Sequence, residues 1–568
     1  MPVRTRAQRQ RDRPILPHEV WCNAFEHMEP SEVLFLEQVS RTLRSLVSEK
    51  SVWKAILRSV CSKYGLFGPS FPVEEMSVKE LQRAALGPEL FKALVTRHSW
   101  PADELHEAQI LVPTSDLTPF RKRGFKMGSR SVKLMWVRHL VPGGRFLFQV
   151  TQAPTKAAQD SSFTVQLWDL GVPGSPPLRK PGLMAEIKNG KPVNLNVTAV
   201  TAMVDPGNDV SLRVATYLSG YGTGCMIKIH AVSPSDPIFK RLAELHITNV
   251  IHNLHVSNPI VSGDVMLIRV NNIVVLWNFI CHSYAAIPIA PIPTEKYSSD
   301  EDIVFTGDFV MVFRRGAQWG IHVWEVPALA SFTRITGRSL SIVEAVTAVP
   351  DALLAIPFPE PKGRHYHAIN VPQSGLQTLP LTFDVFSAPW QKRSHPVTWV
   401  GPTSRTITSC LRCTIGTQRV GTVTNSTRRS VDMLSVDTMA SFKIQAPVTG
   451  ASWTSPQFAP SLSDSSLSFA FLKSRIIEHK SGGDYRVSKQ HNFAYSLDTF
   501  TPFPSGPSSS STQNTAQPGN TANVSVTRFY EPDRRLQWSQ RWSACVASGR
   551  MVDMACEGGD VHLLDYLY

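Results

Sequence analysis

Apolar residues step by three and four over the first hundred positions and alternate singly from about residue 131 onward. The chain therefore reads as a small helical part followed by a large β body. Leu16, Val20, Phe25 and Met28 fall on one face of a first helix. Pro17 suits its first position, where the N–H that proline lacks has no helical partner. Glu29-Pro30 breaks the run. Ser31 can cap a second helix carrying Val33, Leu36, Val39, Leu43 and Leu46. Ser51 can cap a third, carrying Val52, Trp53, Ile56, Leu57 and Val60 and ended by Gly65. Ser77 to Glu80 has the form of a capping box, and Leu81, Ala85, Leu90, Phe91, Leu94 and Val95 continue an apolar stripe interrupted at Gly87-Pro88. This predicts two linking helices within 74–97. Residues 99–130 show no period and read as irregular.

In the body, short alternating strands end in an aromatic and an acidic or polar residue, with looser copies further along. Trp168-Asp169 is the clearest anchor. His230-Ala231, Trp277-Asn278, Trp324-Glu325, Ile369-Asn370, Leu434-Ser435, Ser496-Leu497 and Leu564-Asp565 continue the series. The middle members lie 47, 47 and 45 residues apart, a length that holds four strands and tight turns. An earlier strand recurs as a hairpin partner: Arg145 to Val150, Ser211 to Tyr217, Val265 to Val270, Asp308 to Phe313, Ala352 to Pro357 and Met551 to Cys556. A pair of β-sandwiches leaves the spacing near 47 unexplained; seven or eight radial units explain it. Longer intervals hold insertions. The stretch 501–525 has 21 Ser, Thr, Pro, Asn, Gln or Gly among 25 residues and no charge, which predicts a disordered loop.

Composition agrees with a β-rich body, since charged residues make up only 18% of 568 while 42 Pro and 33 Gly supply turns. The most apolar stretch, Ile273 to Ile292, is broken by Asn278, His282, Ser283 and two prolines, so no membrane-spanning helix is expected. Five arginines within residues 1–13 and no apolar run behind them argue against a secretory signal. The formal net charge of +13 favours acidic partners. Arg121, Lys122, Arg123 and Lys126 form a second basic cluster, read as a solvated loop; no aromatic-interleaved RNA-binding motif accompanies either cluster, which argues against nucleic acid.

Candidate chemistry is sparse. Eight scattered cysteines include one CxxC, Cys410 and Cys413, with no second ligand pair nearby, so both read as small buried hydrophobes in a reducing cytoplasmic or nuclear compartment. No metal, cofactor or catalytic residue is expected: Walker loop, nucleophile elbow, HExxH and dinucleotide fingerprint are all missing. His365 and His367 share one strand face and read as structural. Arg213, Arg269, Arg314, Arg315, Arg405 and Arg412 do not recur at one unit position, so they read as surface or strand-edge arginines rather than a converging acidic-peptide site.

Fifty residues rarely bury enough surface to stand alone, so the N-terminal module is expected to lend part of its apolar face to a partner. The order Leu16-Pro17-His18-Glu19-Val20, Phe25, Glu29-Pro30-Ser31, Leu36, Val39-Ser40-Arg41, Arg44 and Val52-Trp53 resembles the F-box, with Ala24-Phe25 in place of an Ile-Phe pair. Trp168-Asp169, and more loosely Trp277-Asn278 and Trp324-Glu325, resemble the WD-repeat signature, without its GH dipeptide. The whole is similar to a fungal-type F-box substrate receptor. The resemblance implies an α+β multidomain chain: a basic tail at 1–13, a three-helix F-box at 14–65, a helical linker and loop at 66–130, and a seven- or eight-bladed propeller at 131–568. It implies docking onto a Skp-type adaptor, and through it a cullin–RING ubiquitin ligase, by Leu16, Pro17, Glu19, Val20, Phe25, Leu36, Val39, Ser40, Arg41, Leu43 and Trp53. The propeller would bind a target protein, acidic or phosphorylated given the charge, and the chain itself would catalyse nothing. The alternatives are a propeller scaffold that binds a Skp-type protein outside any ligase and, disfavoured by the missing catalytic pairs, a propeller hydrolase or glycan-binding protein.

Overall fold

The structure, a computed structural model, describes residues 17–98, 100–101, 118–126, 134–152, 163–175, 181–189, 196–205, 208–220, 224–248, 260–270, 273–289, 302–314, 320–341, 350–356, 365–370, 379, 381–389, 406–417, 434–446, 470–479, 485–498, 523–529, 543–554 and 560–567. Helices occupy the N-terminal part: α1 (His18–Glu26), α2 (Pro30–Val39), α3 (Arg41–Val47), α4 (Lys50–Lys63), α5 (Val78–Ala85) and α6 (Gly87–Arg97). No described helix is long and apolar enough to cross a membrane.

Four helices stand where three were expected over 15–64. Ser40 is the reason. Its backbone is extended (φ −154°, ψ 158°) and its Oγ accepts from Leu43 N at 3.1 Å, so it ends α2 and starts α3. A serine that can cap competes with a helix running through it. The other starts also shift by a residue or two. Pro17 is the N-cap of α1, its carbonyl accepting from Val20 N and Trp21 N. Glu29, not Ser31, caps α2, with Pro30 as the first helical residue and Glu32 closing a capping box. Glu49, not Ser51, precedes α4.

The body is seven sheets among the described residues, each made largely of consecutive antiparallel strands: 134–189, 196–248, 260–288, 302–355, 365–446, 470–529 and 543–565. Successive sheets share cores. Val214 and Val232 of the second pack with Phe146, Phe148 and Leu167 of the first. Ile227 and Ile229 meet Ile268, Val275 and Trp277, and Leu276 and Ile287 meet Val310, Val312 and Trp324. Phe313 and Phe383 stack edge-to-face at 5.0 Å between the fourth and fifth. The fifth sheet's last strand, Leu434–Ala446, touches Asn523–Phe529 of the sixth. Leu140, Leu147 and Leu170 of the first sheet pack with Met551, Val552 and Leu563 of the seventh, so the propeller-like array returns on itself.

Anchors Trp168-Asp169, His230-Ala231, Trp277-Asn278, Trp324-Glu325 and Leu564-Asp565 all lie at the C-terminal end of the third strand of a sheet's own meander. In four sheets the residue after that strand donates to the carbonyl before the second strand: Leu170 to Arg145, Phe279 to Asp264, Val326 to Asp308 and Tyr566 to Gly549. Three anchors were misplaced. Ile369 lies in the first strand and Leu434 in the fourth strand of one sheet, 365–446, so the eighth unit disappears, and Ser496-Leu497 ends the second strand of its sheet, 470–529, not the third. Ala352–Ala355 pairs back onto Gly320–Glu325 as a fourth strand instead of opening a hairpin with a later anchor. Alternation marks a strand but does not number it within its sheet. Of the expected loop 501–525, residues 501–522 lie outside the described residues and Asn523 opens a strand.

The second basic cluster is a strand as well. Arg121–Lys126 pairs antiparallel with the final strand Asp560–Asp565, setting Arg121 opposite Asp565 and Lys126 opposite Asp560. Trp100–Pro101 likewise edges the sixth sheet through Asn523–Phe529. The segment leaving the helices thus supplies the outer strand of each of the last two sheets. Opposite charges at facing positions favour this register and were unreadable without the partner strand.

Candidate functional site: the open face of the helical module

The module's interior is built by α4. Val52, Trp53, Ile56, Leu57 and Val60 are buried, together with Phe25 of α1, Val33 of α2 and Val47 of α3. The Trp53 indole donates to Val47 O at 2.6 Å, satisfying a carbonyl left open at the end of α3. Arg44 Nε does the same for Glu37 O of α2 at 3.1 Å. Trp21 stacks on Phe25 with ring centroids 5.6 Å apart. Lys63 and Glu29 form an ion pair at 2.5 Å that ties α4 to the start of α2.

One side of this module is sealed against the sheets. Phe67 N donates to Pro142 O at 3.0 Å, and the Phe67 and Phe146 rings meet edge-to-face at 5.9 Å. Arg145, which holds Asp169 through contacts of 2.8 and 3.0 Å, also reaches Pro69 O. Gly87 sits so close to Ala547 that any Cβ would strike its carbonyl oxygen, and Phe91 meets Tyr566 edge-to-face at 6.5 Å. Helices and the first and seventh sheets therefore share one continuous core.

The residues expected to face an adaptor divide sharply. Pro17, Glu19 and Val20 are exposed along α1, and Val39, Ser40 and Arg41 are exposed where α2 passes into α3. Leu36 and Leu43 are half-buried against the core. Phe25 and Trp53 are fully buried and hold the module together, so they offer nothing to a partner. Leu16 lies outside the described residues. Phe35 was missed: it is 65% exposed, one helical turn from Val39 at 70%, while Val20 is 45% exposed. Its signal was in the sequence, because Phe35 is a large apolar residue that falls off the face of Val33 and Leu36 and shares the face of Val39. Exposed aromatic and aliphatic side chains a turn apart on one helix are the kind of surface a protein partner covers.

Residues 14–55 match the F-box domain family. These residues are an F-box domain. The F-box thus keeps Val20 of α1 and Phe35 and Val39 of α2 in solvent while its other side is welded to the sheets. No curated protein matches the chain. Among solved structures, the WD40 domain of SCAP from fission yeast is similar over 78% of this chain and 83% of that one, at 10% identity and a TM-score of 0.35. The complex of the fission yeast SREBP–SCAP binding domains is similar over 58% and 78%, at 11% identity and 0.29. The N-terminal domain of Nup159 is similar over 80% and 97%, at 10% identity and 0.28.

Elsewhere the charged groups act within the fold. Arg412 and Asp384 face each other across two strands of the fifth sheet, both buried, with contacts of 2.7 and 2.9 Å. Arg213 reaches from the second sheet to Gly263 O and to Asp264 of the third at 2.8 Å. Arg269 is buried; the Arg314 side chain, Arg315 and Arg405 lie outside the described residues. Cys413 is buried, and burial followed by the nearby Asp384 charge pushes its thiol up to about 12, so it stays a protonated core residue. The described residues hold no group of three or more His, Cys, Asp or Glu able to bind a metal.

Proposed function

We propose that this chain is the substrate-recognition subunit of a Skp–cullin–F-box ubiquitin ligase. The observation that carries the reading is the open apolar face of the F-box: Val20, Phe35 and Val39 stand in solvent on a module whose other described large apolar residues are buried or half-buried. Pro17, Glu19, Val20, Phe35, Leu36, Val39, Ser40, Arg41 and Leu43 would meet a Skp-type adaptor, which joins the cullin–RING part. The seven sheets would be the blades of a β-propeller whose loops select the target protein. The net charge of +13 supports an acidic or phosphorylated target. Fusion of the helices with the first and seventh sheets supports a rigid receptor, which holds a bound target at a fixed distance from the ubiquitin-transfer centre.

Tagged chain should co-purify with adaptor and cullin in equal amounts, and Phe35→Ala with Val39→Glu should abolish both without changing the circular dichroism spectrum. Undiminished capture by that variant would overturn the interface. Recovery of the adaptor with no cullin would favour the scaffold reading.

A further inference from the structure

Between the third and fourth strands of the fourth sheet, the chain leaves its own sheet and runs backward along the outside of two others. A 3-10 turn at Leu329–Ser331 starts the excursion. Phe332 then drops into the core between the third and fourth sheets. Thr333 and Arg334 pair antiparallel with Tyr284 and Ser283, the outer strand of the third sheet. Ile335 enters the core between the second and third sheets, and Leu340 enters the same core further on. Ser339–Ser341 finally pairs with His246–Thr248, the outer strand of the second sheet. That is the one parallel pairing among the described strands, and a short excursion, not a helix-length crossover within one sheet, makes it.

The grip on this segment centres on His282. It is the one non-glycine among the described residues with positive φ, 52°, a conformation unfavourable for its side chain. Its carbonyl accepts from Ile335 N at 2.9 Å, and its Nε2 lies 2.6 Å from Gly337 O. Gly337 has φ +89°, which lets the segment turn there, and Arg338 O then accepts from His246 N at 2.8 Å. Apart from its three apolar knobs, Phe332, Ile335 and Leu340, every residue from 329 to 341 is exposed.

We infer that residues 329–341 are a strap that guards the outer edges of the second and third sheets against pairing with a second copy of the chain, and that it lifts off without unfolding them. An uncovered strand edge is a template for another strand, and proteins cover such edges with their own chain. The attachment is local: three buried apolar side chains, a few main-chain bonds and one strained histidine. The central strands Val265–Val270 and Ile273–Asn278 make their main-chain pairs with each other along their whole length and none with the strap.

Hydrogen exchange on the full chain tests this. In Ile335→Ser/Leu340→Ser, and in the milder His282→Gly, which accommodates the positive φ but removes the imidazole, amides of 246–248 and 283–284, the positions the strap pairs with, should exchange at least tenfold faster. Those of 265–270 and 273–278 should be unchanged, and light scattering should show concentration-dependent self-association. Unchanged edge exchange in both variants would mean that the segment guards nothing. Faster exchange of central and edge strands together would make it an integral part of the fold, and a monomer with open edges would remove the guarding role.

Discussion

Arg550 and Asp565 face each other in the last hairpin, Nε to Oδ1 at 2.5 Å, and both are buried. The same guanidinium donates to Gly144 O at 2.9 Å and Gly171 O at 2.6 Å, so it joins the final sheet to the first. Arg213 occupies the corresponding register position in the second sheet and reaches the third in the same way. One residue thus serves a pair within its sheet and the seam to the next.

Removing either partner leaves the other buried without its counter-charge. Asp565→Asn or Arg550→Met is expected to cost about 3–5 kcal/mol. Urea unfolding followed by tryptophan fluorescence measures it. Asp264→Asn, where the aspartate is about half exposed, should cost under about 1 kcal/mol.

A chain beginning at residue 131 should fail to close. It lacks Arg121–Lys126, the outer strand on Asp560–Asp565, and the helices that bury part of the first and seventh sheets. Soluble yield and thermal midpoint should both fall sharply compared with a chain beginning at residue 14.

Acid should weaken the fold before the carboxylates titrate. Burial holds His139 at about 4, and burial with neighbouring Lys228 and Arg241 holds His230 at about 4, against an ordinary 6.5. The unfolded chain takes up these protons first, so stability is full above pH 6.5, falls as pH drops toward 4 and stops changing from this source below it. For His139 the loss is on the order of 3 kcal/mol. Urea midpoints at pH 7.0, 5.5 and 4.5 should fall in that order, and His139→Gln should flatten the slope.

Stability and adaptor capture should separate within the F-box. Trp53→Ala empties a buried site and loses the bond to Val47 O, at a cost of about 3–5 kcal/mol. Phe35→Ala, on an exposed face, should change stability by less than about 0.5 kcal/mol while weakening capture. Parallel melts and pull-downs distinguish the two.

The sequence made some of this legible and hid the rest for physical reasons. Helical spacing located α1 and α4 because Phe25, Trp53, Ile56 and Val60 do serve one interior. It could not see that Ser40 divides the second helix, since a cap and a tolerated mid-helix serine are written with the same letter. Trp168, Trp277 and Trp324 marked third strands because a large ring ends each of them. Sheets five and six carry no such mark, and the buried Asp384–Arg412 pair disguises two core positions as polar ones. Arg121 to Lys126 looked like solvated charge because its pairing partners lie at the far end of the chain. Sorting the adaptor face from the core required burial, which told Phe35 from Phe25.

That last pairing has a consequence for how the protein is made. At ribosomal rates the strand at 121–126 emerges roughly 20–90 s before the residues it must join, about 440 positions later. During synthesis the nascent ring stays an open arc with unsatisfied edges, and only translation of the last residues lets it shut. Premature termination near the end of the message should therefore yield a species prone to chaperone capture, even though nearly every sheet has already been made.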